Sequence, residues 1–173
     1  MSFLQAFKEI TTFVFDMDGV LTDGSILAFE NGEQVRKMNI KDGYALQLAV
    51  KKGYHVLIIS GANSEGVRIR LNKLGITDVF MKVSDKKDKL ENYLKEHQLS
   101  WKEVLFMGDD VPDQEVMKKV AISCAPKDAV SSIRQNAKYI SPYKGGEGCV
   151  RDVLEKVLKL RGHWAHDDSV ASK

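Results

Sequence analysis

Apolar, β-branched and aromatic residues gather in five short runs: Thr11 to Phe15, Tyr54 to Ile59, Asp78 to Val83, Val104 to Met107 and Val120 to Cys124. Each has the length of a buried strand. Between them, Lys41 to Lys52, Ser64 to Leu74, Lys87 to His97 and Pro112 to Lys118 carry helical spacing and end near stops such as Gly53 and Gly75. The alternation predicts βαβ units: an α/β fold with a Rossmann-like, five-stranded parallel sheet and helices on both faces. Such sheets bind ligands beyond the carboxyl ends of their strands, which selects Asp16, Ser60, Ser84 to Lys86 and Asp109.

Ser25 to Asn39 breaks the alternation. Ile26-Leu27-Ala28-Phe29, the turn signal Glu30-Asn31-Gly32 and a second extended stretch predict a β-hairpin there. Val150 to Leu160 reads as an amphipathic helix, whereas Gly162 to Lys173 is polar and without period. The expectation is one domain over residues 1–162 and a disordered tail over 163–173. A chain of 173 residues with 43% apolar and 29% charged positions is sufficient for one core. The 26 Lys and Arg nearly balance the 24 Asp and Glu, leaving +2, so no basic field is available for nucleic acid or an anionic membrane. No apolar run approaches a bilayer span and Met1 to Glu9 lacks a signal-peptide layout, so a cytoplasmic protein is expected. Cys124 and Cys149 stand without a Cys-x-x-Cys motif, so any metal would be held by oxygen.

Two carboxylates, Asp16 and Asp18, fall two residues apart where the first strand runs into Gly19. Like charges so close favour a hard cation between them, such as Mg2+; an Asx turn ending the strand is the plainer reading of the same residues. Acidic residues recur after the Val104 to Met107 strand as Gly108-Asp109-Asp110-Val111-Pro112-Asp113, where a helix N-cap at Asp110 fits equally. Ser60-Gly61 and Lys86 each fit an ordinary turn and a solvated charge when taken singly. Together the four sites supply what phosphoryl transfer needs: a nucleophile, a divalent-cation site, a cation on the phosphate and donors to its oxygens. In that assembly Asp16 is the nucleophile and Asp18 the general acid and base. Asp16, Asp109 and the backbone carbonyl of Asp18 hold Mg2+, and Ser60, Gly61 and Lys86 bind the phosphoryl group. Asp110 and Asp113 orient the metal site and Lys86.

The order and spacing of Asp16-Met17-Asp18-Gly19-Val20, Ser60-Gly61, Lys86 and Gly108-Asp109-Asp110-x-x-Asp113 resemble motifs one to four of the haloacid dehalogenase superfamily phosphatases. The short spacer after motif one resembles that of the capless subclass. Gly19 to Gly24, the hairpin, Asn39-Ile40-Lys41-Asp42-Gly43-Tyr44, Leu74-Gly75-Ile76 and Gly145-Gly146-x-Gly148 are further similar to the 3-deoxy-manno-octulosonate 8-phosphate phosphatases, from about Ile10 to Leu160. This likeness implies a cytoplasmic Mg2+ phosphatase, usually a homotetramer, releasing phosphate from an eight-carbon sugar acid destined for lipopolysaccharide. It implies substrate contacts at Asn39, Ile40, Lys41, Asp42, Gly43 and Arg70, and a glycine-rich segment, here Gly145 to Arg151, reaching toward a neighbouring subunit's site. Arg70 suits a carboxylate by bidentate pairing, and it equally fits one charge on an exposed helix face. Gln47 and Ala62 stand where many octulosonate phosphatases carry Arg, so phosphatases of nine-carbon keto-deoxy acids remain an alternative. A receiver-like signalling domain and a silent oligomerisation module are the alternatives outside phosphatase chemistry; Asp18 and the intact motifs speak against both.

Overall fold

The structure, a computed structural model, describes residues 3–170. A first helix, α1 (Phe3–Lys8), leads into β1 (Thr12–Phe15), which ends in a tight turn over Met17–Leu21 and a hairpin of β2 (Leu27–Ala28) and β3 (Gln34–Val35). Then follow α2 (Ile40–Lys51), β4 (His55–Ile59), α3 (Glu65–Lys73), β5 (Asp78–Phe80), α4 (Lys86–Glu96) and β6 (Val104–Met107). The chain closes with α5 (Gln114–Met117), β7 (Ile122–Ala125), α6 (Ser131–Asn136), β8 (Tyr139–Ile140) and α7 (Cys149–Leu160). The parallel sheet has the order β5-β4-β1-β6-β7-β8. It thus carries six strands rather than the expected five: β8 is a two-residue edge strand, too short for its composition to mark it.

Strand alternation divides the core. Phe13 and Phe15 of β1 face the side covered by α1, α2, α3 and α7, while Val14 faces α4, α5 and α6. The hairpin falls within the expected 25–39, with Leu27 opposite Val35 and Ala28 opposite Gln34. Nothing larger than this hairpin intervenes between β1 and α2.

Residues 163–170 of the expected tail lie against the domain. His163 Nδ1 lies 2.9 Å from Tyr54 Oη, Trp164 meets Tyr44 edge-on at 6.1 Å between ring centroids, and Val170 is buried in the core. Two isolated apolar anchors hold this segment, and anchors of that kind leave no periodic signature. Residues 171–173 of the expected tail, and residues 1 and 2 of the expected domain, lie outside the described residues. Among the described residues no helix is long and apolar enough to cross a membrane.

Candidate active site

From β1 at the middle of the sheet the chain winds first toward β4 and β5 and later toward β6, β7 and β8. The carboxyl ends of β1, β4 and β6 therefore frame the switch point where such sheets bind ligands. Asp16 follows β1, Ser60 follows β4, Asp109 follows β6 after one glycine, and Lys86 opens α4. With Asp18, Gly61 and Asp110 they line a cleft of about 310 Å3.

Two glycines allow the loops to approach. Gly19 adopts φ +83° inside the Met17–Leu21 turn, and a Cβ there would lie 1.9 Å from Asp109 Oδ2. A Cβ on Gly108 would lie 2.4 Å from Asp113 Cγ. The motif-one turn is fixed further by Thr22, whose Oγ1 accepts from the amides of Gly19 at 3.3 Å and Gly24 at 3.2 Å and donates to Asp18 Oδ1 at 3.4 Å.

The Lys86 ammonium sits between two acids, 2.8 Å from Asp16 Oδ2 and 2.6 Å from Asp113 Oδ1. Asp113 is fully buried, and its other oxygen accepts from the amides of Asp109 at 3.0 Å and Asp110 at 3.4 Å. It thereby fixes both Lys86 and the loop that carries Asp109. Asp110 takes the N-cap position that its place before Val111-Pro112 offers: its side chain caps the 3₁₀ turn Val111–Asp113, accepting from Val111 N at 2.7 Å. A capping box explains this, because Asp110 and Asp113 are spaced to satisfy each other's amides.

Carboxylate oxygens of Asp16, Asp109 and Asp113 all lie within 4.8 Å of one another. Asp113 is committed to Lys86 and two amides, whereas Asp16 carries one contact on each oxygen, from Met17 N and Lys86, so Asp16 and Asp109 are the acids with lone pairs left to offer a cation. Burial, reinforced by the Asp113 carboxylate and opposed by Lys86, pushes Asp16 up to about 6. Burial together with Asp16, Asp113 and Asp110 pushes Asp109 up to about 7. An anionic pocket of hard oxygens that resists ionisation fits Mg2+, which removes the repulsion it was built around.

Ser60 is buried at the end of β4, with its Oγ accepting from Ala62 N at 3.1 Å, and Gly61 lines the cleft beside it. The expected substrate-contacting segment lies elsewhere in the single chain. Asn39 caps α2 and donates from Nδ2 to Gly146 O at 3.2 Å. Asp42 is buried, accepting from Arg151 N at 2.8 Å, and Gly43 is buried against Arg70. Ile40 and Lys41, with Gly146, Gly148 and Arg151, line a separate groove of about 1000 Å3. The glycine-rich segment likewise rests on its own motif-one turn, through Gly146 N to Val20 O at 2.9 Å.

Arg70 lines a neighbouring cleft of about 650 Å3, together with Asn63, Ser64 and one residue that no motif marked, Arg36. Arg36 Nε lies 2.8 Å from Asp18 Oδ1 and its Nη2 lies 3.3 Å from Oδ2. A lone cation beyond a hairpin strand carries no sequence signal for this contact. Thr22 stood within the motif-one string and could have been found as its polar, buried member.

Residues 62–153 match the family model of haloacid dehalogenase-like hydrolases. The chain is 34% identical over 155 residues to the 3-deoxy-D-manno-octulosonate 8-phosphate phosphatase of Escherichia coli strain K12, covering 90% of this chain and 82% of that one. The crystal structure of the Yersinia pestis enzyme of the same name superposes with a TM-score of 0.90 at 32% identity, covering 92% of this chain and 86% of the other. That of the Moraxella catarrhalis enzyme, in complex with magnesium ion, phosphate ion and the octulosonate molecule, gives 0.88 at 30% identity over 91% and 90%. The chain accordingly belongs to the haloacid dehalogenase-like hydrolases, as a phosphoric monoester hydrolase of the 3-deoxy-D-manno-octulosonate 8-phosphate phosphatase family.

Proposed function

We propose that this protein hydrolyses 3-deoxy-D-manno-octulosonate 8-phosphate to the free sugar acid and phosphate through an aspartyl-phosphate on Asp16. The observation that carries the mechanism is the buried Asp16-Lys86-Asp113 chain beside Asp109, set at the sheet's switch point. Mg2+, held by Asp16, Asp109 and the Asp18 carbonyl, supplies charge neutralisation for the phosphoryl oxygens. Lys86, Ser60 and the Gly61 backbone hold and orient the phosphate, with Lys86 fixed in direction by Asp113. Asp16 Oδ attacks phosphorus as the sugar's C8 oxygen departs, and Asp18 gives that oxygen its proton. Asp18 then takes a proton from the water that attacks phosphorus, releasing phosphate and regenerating Asp16.

The substrate follows from the relatives' activity, and the pathway reading follows with it: a cytoplasmic step toward the sugar acid of lipopolysaccharide. The open cleft favours a homotetramer in which a neighbour completes it. Ile26, Leu27, Phe29 and Val35 leave the hairpin apolar and exposed, and Ile40 and Lys41 face outward, away from their own cleft. In that arrangement Asn39, Ile40 and Lys41 serve the adjoining subunit's substrate, while Arg70 serves its own.

The test is phosphate release with Mg2+ from the eight-carbon acid 8-phosphate beside nine-carbon keto-deoxy acid 9-phosphates and hexose phosphates. Preference for the eight-carbon ester is expected, and preference for a nine-carbon ester would overturn the substrate while keeping the mechanism. In parallel, Asp16→Asn is expected to abolish turnover, and Asp18→Asn to cripple it while retaining Mg2+. Full turnover by Asp16→Asn would end the covalent route. A fully active monomer in sedimentation would overturn the shared site.

A further inference from the structure

Arg36 reaches the site from the hairpin, the least supported element of the fold: its two strands have two residues each, and its tip is closed by Phe29 N to Glu33 O at 2.9 Å. The Arg36 side chain is nevertheless only 3% exposed, because its guanidinium lies along the Asp18 carboxylate with one nitrogen on each oxygen, at 2.8 and 3.3 Å. Asp18 belongs to the phosphate cleft and Arg36 to the adjoining cleft it shares with Arg70, so this ion pair is the boundary between the two. Of the acids lining that second cleft, Glu65 is turned to Arg68 at 3.7 Å and Glu33 is exposed on the hairpin. Neither meets the Arg36 guanidinium, whose carboxylate partner is Asp18.

A carboxyl that delivers a proton needs one oxygen directed at the leaving group, and each Asp18 oxygen is already engaged by Arg36, with Oδ1 also accepting from Thr22, although the side chain stays 30% exposed. A sugar acid phosphate brings a second carboxylate to this boundary when its phosphate occupies the Asp16 cleft. We propose that Arg36 recognises the substrate's carboxylate: Asp18 holds the guanidinium in the free enzyme, and the sugar acid takes it over on binding, releasing the Asp18 carboxyl toward the leaving oxygen. A planar guanidinium exchanges one carboxylate for another without loss of its paired hydrogen bonds, and the short hairpin allows the displacement. This rests on the phosphatase reading above and adds to it a residue that selects acids over neutral sugars.

The experiment compares wild type, Arg36→Gln and Arg36→Lys on two phosphate esters, the octulosonate 8-phosphate and p-nitrophenyl phosphate, which has no carboxylate. For Arg36→Gln, kcat/KM is expected to fall at least about tenfold further on the sugar acid than on p-nitrophenyl phosphate, chiefly through KM, with Arg36→Lys recovering part of the difference. Equal losses on both esters would make Arg36 a structural prop and overturn the proposal, as would an unchanged KM for the sugar acid. If the wild type hydrolyses p-nitrophenyl phosphate but no octulosonate ester, the substrate reading fails instead. Inhibition of p-nitrophenyl phosphate turnover by free sugar acids then decides on Arg36: a Ki weakened at least about tenfold in Arg36→Gln supports carboxylate recognition, and an unchanged Ki overturns it.

Discussion

The Lys86 ammonium lies 2.6 Å from a carboxylate oxygen of Asp113, a residue with no exposed surface, and the same ammonium reaches Asp16 at 2.8 Å. One buried cation thus compensates two buried acids. Removing it leaves Asp16 and Asp113 facing each other with only backbone amides as partners and no cation between them. Lys86→Met is expected to destabilise the metal-free protein by about 3–5 kcal/mol, the usual cost of breaking a buried pair from one side. Added Mg2+ is expected to return part of that stability by neutralising Asp16. Urea denaturation with and without Mg2+ reads both; an unchanged midpoint in metal-free Lys86→Met would show that the two acids do not depend on it. Phosphatase activity is expected to fall at least about a hundredfold, since the lost donor acts on the transferring group.

How far this site is legible in the sequence depends on how local each feature is. Asp16, Ser60 and Asp109 follow apolar strands, and strand ends of a parallel sheet converge, so the pattern alone brings them together. The helices over 40–51 and 65–73 follow the helical spacing read over Lys41 to Lys52 and Ser64 to Leu74, and the structure caps them with Asn39 and Ser64. The strand read as Val120 to Cys124 starts two residues later and ends one later, over Ile122–Ala125, because α5 and its following turn take up Val120 as core. What the pattern does not contain are pairings across long stretches of chain: Arg36 on Asp18, or Asp42 on the start of α7, 109 residues away. Nor does it contain α1, α6 and β8, which are too short for their periodicity to rise above composition.

Gly19 provides a local test of the metal site. Its φ of +83° costs an L-residue about 1–2 kcal/mol, and a Cβ would fall 1.9 Å from Asp109 Oδ2. Gly19→Ala is therefore expected to displace Asp109 as well as strain the turn, weakening Mg2+ at least about tenfold. Titration of Mg2+ against activity reads this as a raised half-saturation point. Recovery of full turnover at high Mg2+ would place the damage in metal binding, and unaltered Mg2+ dependence would show that Asp109 is not pressed by Gly19.

Magnesium affinity is expected to depend on pH in the neutral range. Asp16 titrates near 6 and Asp109 near 7 in the metal-free protein, both raised chiefly by burial. A cation binds the ionised forms, so below pH 7 it must displace protons, and its affinity falls as pH drops from 8 to 5. Calorimetry in two buffers of different ionisation enthalpy is expected to show proton release on binding at pH 6 and little at pH 8. Binding without proton release at pH 6 would mean that both acids are already ionised. Chelation of Mg2+ is expected to remove activity at every pH, and readdition to restore it.

Asp42 separates structural from catalytic titration, because it lies outside the cleft. It projects from the first turn of α2 onto the start of α7, where Oδ1 accepts from Arg151 N at 2.8 Å and Oδ2 finds no hydrogen-bond partner. The amides of α7 favour the anion, but burial outweighs them and pushes the carboxyl from 3.8 up to about 6. An acid harder to ionise when folded than when unfolded stabilises the fold least where both states are ionised. Its contribution is greatest below about 4, declines as pH rises through 6 and is constant above, with a span of about 2–3 kcal/mol. Asp42→Asn keeps an acceptor for Arg151 N and removes the charge. In saturating Mg2+, which holds Asp16 and Asp109 ionised, the wild type is expected to lose stability between pH 4 and 7 relative to Asp42→Asn. The variant is expected to match or exceed the wild type at pH 8. Urea midpoints across this range decide it: parallel pH profiles for the two proteins would show that burial does not hold Asp42 protonated, and that the helix amides win.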